Sequence, residues 1–187
     1  NRNELILLIC KRLLGMEKQT IILSDRRDHL KYLHEEIKKF TTVGFYVGGM
    51  KQKDLKKSES CSIILGTYPM SSEGLDIPNL DAAIFATPKS SIEQSLGRIT
   101  RKNHDDYAIA YDIVDDFSVF SNQLKKRMSV YNRLGCEILD GNLHIDSNMN
   151  ESKFEYFMDN QLIKKEKKKK KKKKNKKENV ECLIMDD

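Results

Sequence analysis

The chain has 187 residues, 39% of them hydrophobic, with 34 basic and 28 acidic side chains and a formal net charge of +6. That length suits one domain of ordinary size with appendages. Four widely spaced cysteines and four scattered histidines exclude a Cys-x-x-Cys frame or a zinc ligand set, the longest apolar run is too short to span a bilayer, and no signal peptide opens the chain, so reduced intracellular thiols, no metal and no membrane are expected.

In chain order, "NELILLICKRLLGMEK" (3–18) predicts a helix with Leu5, Leu8, Ile9, Leu13 and Ile6 facing inward. "TIILS" (20–24) suits a buried strand, and Ser24 and Asp25 are placed to cap the helix that carries Leu30, Leu33 and Ile37. "VGFYV" (43–47) predicts a second strand ended by Gly48-Gly49, "KQKDLKKSES" a short charged helix, and "CSIILG" (61–66) a third strand. After a turn holding Gly74 to Pro78 comes a fourth strand, "DAAIFAT" (81–87). Ser90 to Glu93 has the Ser-x-x-Glu form of a capping box, which starts a helix at 91 or 92. "YAIAYDIV" (107–114) is a fifth strand, followed by a long helix over 115–135 that Gly135 closes. Apolar strands alternating with helices predict an α/β fold: a three-layer sandwich around a mostly parallel sheet of about five to six strands.

The domain is expected to span 1–147, with 148–187 as a Lys-rich tail. That tail holds thirteen lysines against eight carboxylates, which leaves twenty-one basic and twenty acidic groups in the first 147 residues. The body is therefore near neutral, and nucleic-acid contact there must come from placed residues. Twelve lysines fall in 164–179, and charge at that density predicts disorder and a salt-sensitive tether to nucleic acid, with nuclear import as a second reading. The "CLIM" near the end resembles a prenylation box, but Asp186 and Asp187 follow it, and that signal must be terminal.

In open parallel sheets, ligands gather at the carboxyl ends of the strands. Four marked loops are expected there: "SDRR", "GGMK", "GTYPMSSEGLDIP" and "TPKSSIEQSLGRITR". Gly48-Gly49 ahead of a helix near Lys51 can offer backbone N–H groups to a phosphate, and Thr67 offers a hydroxyl at a strand end. Asp76 can accept from a ribose or simply hold its own turn. Arg98 and Arg101, three apart, share a helical face, and guanidinium forks match phosphoryl oxygens. Gly97 is costly inside a helix, which predicts a close approach there.

The order "IILSDRRDHL", "GTYPMSSEGLDIP", "QSLGRITR" resembles motifs IV, V and VI of superfamily 2 helicases, in their second RecA-like domain, over roughly residues 3–135. Its flavour is similar to the transcript-release DNA helicases of poxviruses and other large DNA viruses, relatives of the XPB group. The resemblance implies that Arg98 and Arg101 are arginine fingers toward the γ-phosphate of ATP, with Gln94, Gly74 and Asp76 on the nucleotide side. It implies that Ser24, Arg26, Arg27 and Thr67 grip a nucleic-acid backbone, with Gly49 and Lys51 adding a phosphate contact. Glu73 stands where the DEAD-box branch has arginine. The partner expected is DNA, with RNA as the second choice, and the location a viral factory or virion, host cytoplasm or nucleus.

No Gly-x-x-x-x-Gly-Lys-Ser/Thr loop occurs, and no Asp-Glu-x-Asp/His, so nothing in the sequence cradles a β-phosphate or holds Mg²⁺. The expectation is that an upstream RecA-like domain holds ATP and Mg²⁺, that the chain opening at Asn1 follows it, and that this chain alone is inactive. The competing expectation is a non-catalytic module that binds nucleic acid through its lysines.

Overall fold

The structure is a computed structural model that describes residues 2–73, 77–99, 108–115, 118–142 and 180–186. Strands β1 (Thr20–Leu23), β3 (Ile63–Gly66), β4 (Ala82–Phe85) and β5 (Ala108–Val114) are buried at every position, which is why they read as unbroken apolar runs. β2 (Val43–Tyr46) is the half-covered edge. The sheet is parallel throughout, in the order β2-β3-β1-β4-β5-β7-β6. This is the RecA-like α/β fold.

Alternate strand residues feed two cores. Ile22, Ile63, Leu65, Ala82, Ile84, Ile109, Tyr111 and Ile113 face one layer, α1 (Arg2–Gly15) and α2 (Arg27–Ile37), through Leu5, Ile9, Leu13, Leu30 and Leu33. Ile21, Leu23, Ile64, Ala83, Phe85, Ala110 and Val114 face the other layer. That layer holds α3 (Gln52–Glu59), α4 (Tyr68–Glu73), α5 (Glu93–Ile99) and α6 (Ser118–Leu134), which contribute Leu55, Tyr68, Leu96 and Tyr131. Each fully buried Leu or Ile contributes about 1.5–3 kcal/mol of transfer free energy, so the two cores carry the stability. Gly135 closes α6 as expected: it has φ 73°, its N–H reaches the Asn132 carbonyl, and the Cys136 N–H reaches that of Tyr131.

Three local expectations change. Ser24 does not cap α2, whose N-cap is Arg26 in extended conformation without a side-chain cap. The Ser90–Glu93 capping box is not formed: α5 begins at Glu93 itself, whose carboxylate pairs with Arg133 at 2.6 Å. Residues 68–73, read as part of the marked loop after β3, form α4, with Pro69 in the first turn, where its missing N–H is not needed.

The strand count exceeds the five to six expected. β6 (Glu137–Asn142) extends the sheet, and β7 (Val180–Asp186), inside the segment expected as a tail, pairs with β5 on one side and β6 on the other. "VECLIMD" is an apolar run of strand length, and the open edge of β5 offers it a row of unpaired backbone groups. The lysine tract itself lies outside the described residues.

Candidate functional site

Because β2, β3, β1 and β4 are parallel neighbours, the four marked loops leave the sheet at one edge, as the sequence predicts. The loop after β1 is shaped from within. Ser24 is fully buried, and its Oγ accepts from the Arg26 N–H at 3.1 Å and lies 3.2 Å from His29 Nδ1. His29 Nε2 continues the chain to Asn3 Oδ1 at 2.9 Å. Burial, and then the charges of Arg2 and Arg26, push the imidazole below its ordinary pKa and keep it neutral. The Ser24 hydroxyl thus holds the turn, and the turn presents Arg26 and Arg27 to solvent.

Arg27 Nη2 donates to the Gly48 carbonyl at 2.9 Å, joining the loops after β1 and β2. Gly49 has φ +89°, a left-handed conformation that favours glycine, and exposes its backbone beside Lys51, the exposed N-cap of α3. Thr67 is half-buried at the end of β3, and its carbonyl accepts from the Ser71 N–H to start α4.

A cleft of about 990 Å³ opens at this edge, lined by Arg2, Asp25, Arg26, Arg27, Asp28 and Asp115 among others. Its carboxylates are each answered: Asp115 by Arg2, Asp28 by Lys31 at 2.8 Å, and Asp25 by Lys89 at 3.0 Å. Arg26 and Arg27 have no carboxylate partner among the described residues, so the uncompensated charge of the cleft is positive.

On the sheet face opposite α1 and α2, α4 and α5 are joined by a buried Ser71–Ser95 hydroxyl pair at 2.7 Å. Arg98, half-buried on α5, donates Nη2 to the Ser72 carbonyl at 2.9 Å and forms no ion pair among the described residues. Gln94 is exposed one turn earlier on the same helix. The close approach expected at Gly97 is not made by any described residue: a Cβ there would meet none of them within 4 Å. Gly74, Asp76 and Arg101 lie outside the described residues.

One cluster carried little signal in the sequence. Arg127 of α6 is 1% exposed, and its Nε donates to Asp112 Oδ2 at 2.7 Å. The Tyr131 hydroxyl donates to the same oxygen at 2.8 Å. The available signal was Asp112 itself, a lone carboxylate inside an apolar strand, since a charge so buried requires a partner.

No protein-family model matches the chain. It is 41% identical over 170 residues to L396 of Acanthamoeba polyphaga mimivirus, provisionally named an ATP-dependent RNA helicase, covering 88% of this chain and 32% of that protein. It is 36% identical over 99 residues to QP509L of African swine fever virus, named likewise, covering 51% of this chain and 19% of that protein. The chain thus spans about a third, or less, of the length of these relatives. Among solved structures it resembles T4 UvsW (TM-score 0.57, 20% identity, 71% of this chain and 32% of that one). It also resembles the C-terminal domain of the DEAD-box protein Dbp5 (TM-score 0.55, 14% identity, 72% and 78%). These two likenesses support the fold.

Proposed function

We propose that the chain is the second RecA-like domain of an ATP-dependent superfamily 2 helicase or translocase. In this reading it completes a nucleotide site whose main pocket belongs to an upstream RecA-like domain. The observation that carries the proposal is Arg98: half-buried on α5 and, among the described residues, free of any carboxylate and held by a single side-chain hydrogen bond, to α4. A guanidinium has five N–H donors, so the group retains donors for phosphoryl oxygens. The space over Gly97, open among the described residues, fits a surface that another domain or its nucleotide approaches.

ATP supplies the phosphoryl group, and the missing P-loop and acidic motif would hold its β-phosphate and Mg²⁺. Arg98, with Arg101, Gln94, Gly74 and Asp76 as the other members of the nucleotide side, stabilises charge at the γ-phosphate. Arg26, Arg27, Gly49, Lys51 and Thr67 grip the backbone of the nucleic-acid track, with Ser24 holding the first two in place. The names of the viral relatives favour RNA as that track over the DNA expected from the sequence. Motif V would couple the two sites, because it carries Thr67 on the nucleic-acid side and Gly74 and Asp76 on the nucleotide side.

Arg98→Ala, in the protein that carries this domain with its upstream half, is expected to lower kcat for ATP by about 10³-fold or more and to leave nucleic-acid binding within about twofold. ATPase assays and gel shifts with RNA and DNA read this out. Wild-type turnover refutes the assignment, and loss of binding on deleting 164–179 with Arg98 dispensable supports the lysine-tether alternative.

A further inference from the structure

Asp112 sits in the middle of β5, on the side of the strand whose neighbours Ala110 and Val114 face α5 and α6. With Arg127 and Tyr131 it forms a fully buried polar cluster. Such an ion pair contributes little net stability, because desolvating both charges offsets their attraction. Apolar residues of similar volume would fill the same space as well. The guanidinium does something they cannot: Nη1 donates to the Lys89 carbonyl at 2.7 Å. Its Nη2 is buried without a hydrogen-bond partner among the described residues, so the side chain is placed for those two contacts and not satisfied in full.

Lys89 lies in the segment that leads from β4 into α5, nine residues before Arg98. The rest of that segment is tied to the other ligand-edge loops. The Tyr68 hydroxyl donates to the Thr87 carbonyl at 2.8 Å, the Asp25 N–H donates to Thr87 Oγ1 at 3.0 Å, and Lys89 Nζ reaches Asp25. α6 also touches α5 through Arg133 and Glu93, but that pair is exposed on both sides and restrains little.

We infer that Arg127 is a positioning residue: anchored by Asp112 and Tyr131, it clamps the Lys89 carbonyl and so sets where α5 begins and where Arg98 stands. The inference rests on the function proposed for Arg98.

Arg127→Lys keeps a cation beside Asp112 but has no second arm for the carbonyl. The combination Arg127→Met, Asp112→Leu and Tyr131→Phe keeps the core filled and removes both charge and clamp. In the protein with its upstream half, each is expected to lower kcat for ATP about tenfold or more with KM within about twofold. In the 187-residue chain, Arg127→Lys is expected to speed amide hydrogen exchange over 93–99 by about fivefold or more, with β1 and β3 unchanged. Wild-type kcat in the folded triple variant overturns the inference. So does wild-type exchange over 93–99 in Arg127→Lys, a readout that needs neither activity nor the triple variant. If Arg98→Ala itself turns over normally, the functional reading fails, and the exchange measurement still judges the clamp.

Discussion

His29 shows how one side chain at this edge reports on its surroundings. Folding lowers its pKa through burial and through the charges of Arg2 and Arg26, so the unfolded chain takes up the proton first. Its contribution to stability is therefore complete above the ordinary imidazole value near 6.5 and is lost as pH falls through the lower folded value. We expect the urea midpoint of the chain to fall between pH 7.5 and 5, and His29→Gln, which cannot titrate, to fall less over that range. An equal fall in both would show that the Ser24–His29–Asn3 chain is indifferent to protonation. At this scale the sequence was uneven. Arg98 stood out through its spacing to Arg101 and through Gly97. Arg127 did not, because Lys125 and Lys126 beside it are exposed and make the helix read as a solvated basic face. A motif shows itself through neighbours in sequence, but a buried pair joins positions 15 residues apart on different elements.

Among the elements, β1, β3, β4 and β5 were legible because strands covered on both faces need apolar side chains at every position. α4 was not, since Tyr-Pro-Met-Ser-Ser has weak helix propensity and its hold on α5, through Ser71–Ser95 and Ser72–Arg98, is tertiary. The contact of α3 with β2 shows the opposite case, in which one residue's absence of a side chain sets the packing distance. A Cβ at Gly44 would stand 2.7 Å from Ser58 Cβ and 2.8 Å from its Cα, and backbone gives way only by moving the helix. Gly44→Ala is expected to cost about 1–3 kcal/mol and to lower the thermal midpoint of the chain by several degrees. An unchanged midpoint would mean that α3 is free to lift from the edge strand.

Across the whole molecule, a parallel sheet with its two cores brings loops from distant parts of the sequence to one edge, and this much followed from the alternation of apolar and polar segments. The end of the sheet did not, because the lysine tract dominates the composition of 148–187 and masks a seven-residue strand beyond it. Placed between β5 and β6, that strand makes the carboxyl-terminal segment the only described bridge joining β6 to the remaining strands. It follows every other described strand along the chain, so β6 has no ladder to join until β7 has been made. A protease that cuts within the lysines would sever the covalent link yet leave both pieces zipped into a common sheet. Trypsin should accordingly give two bands under denaturing electrophoresis and one particle by native mass spectrometry.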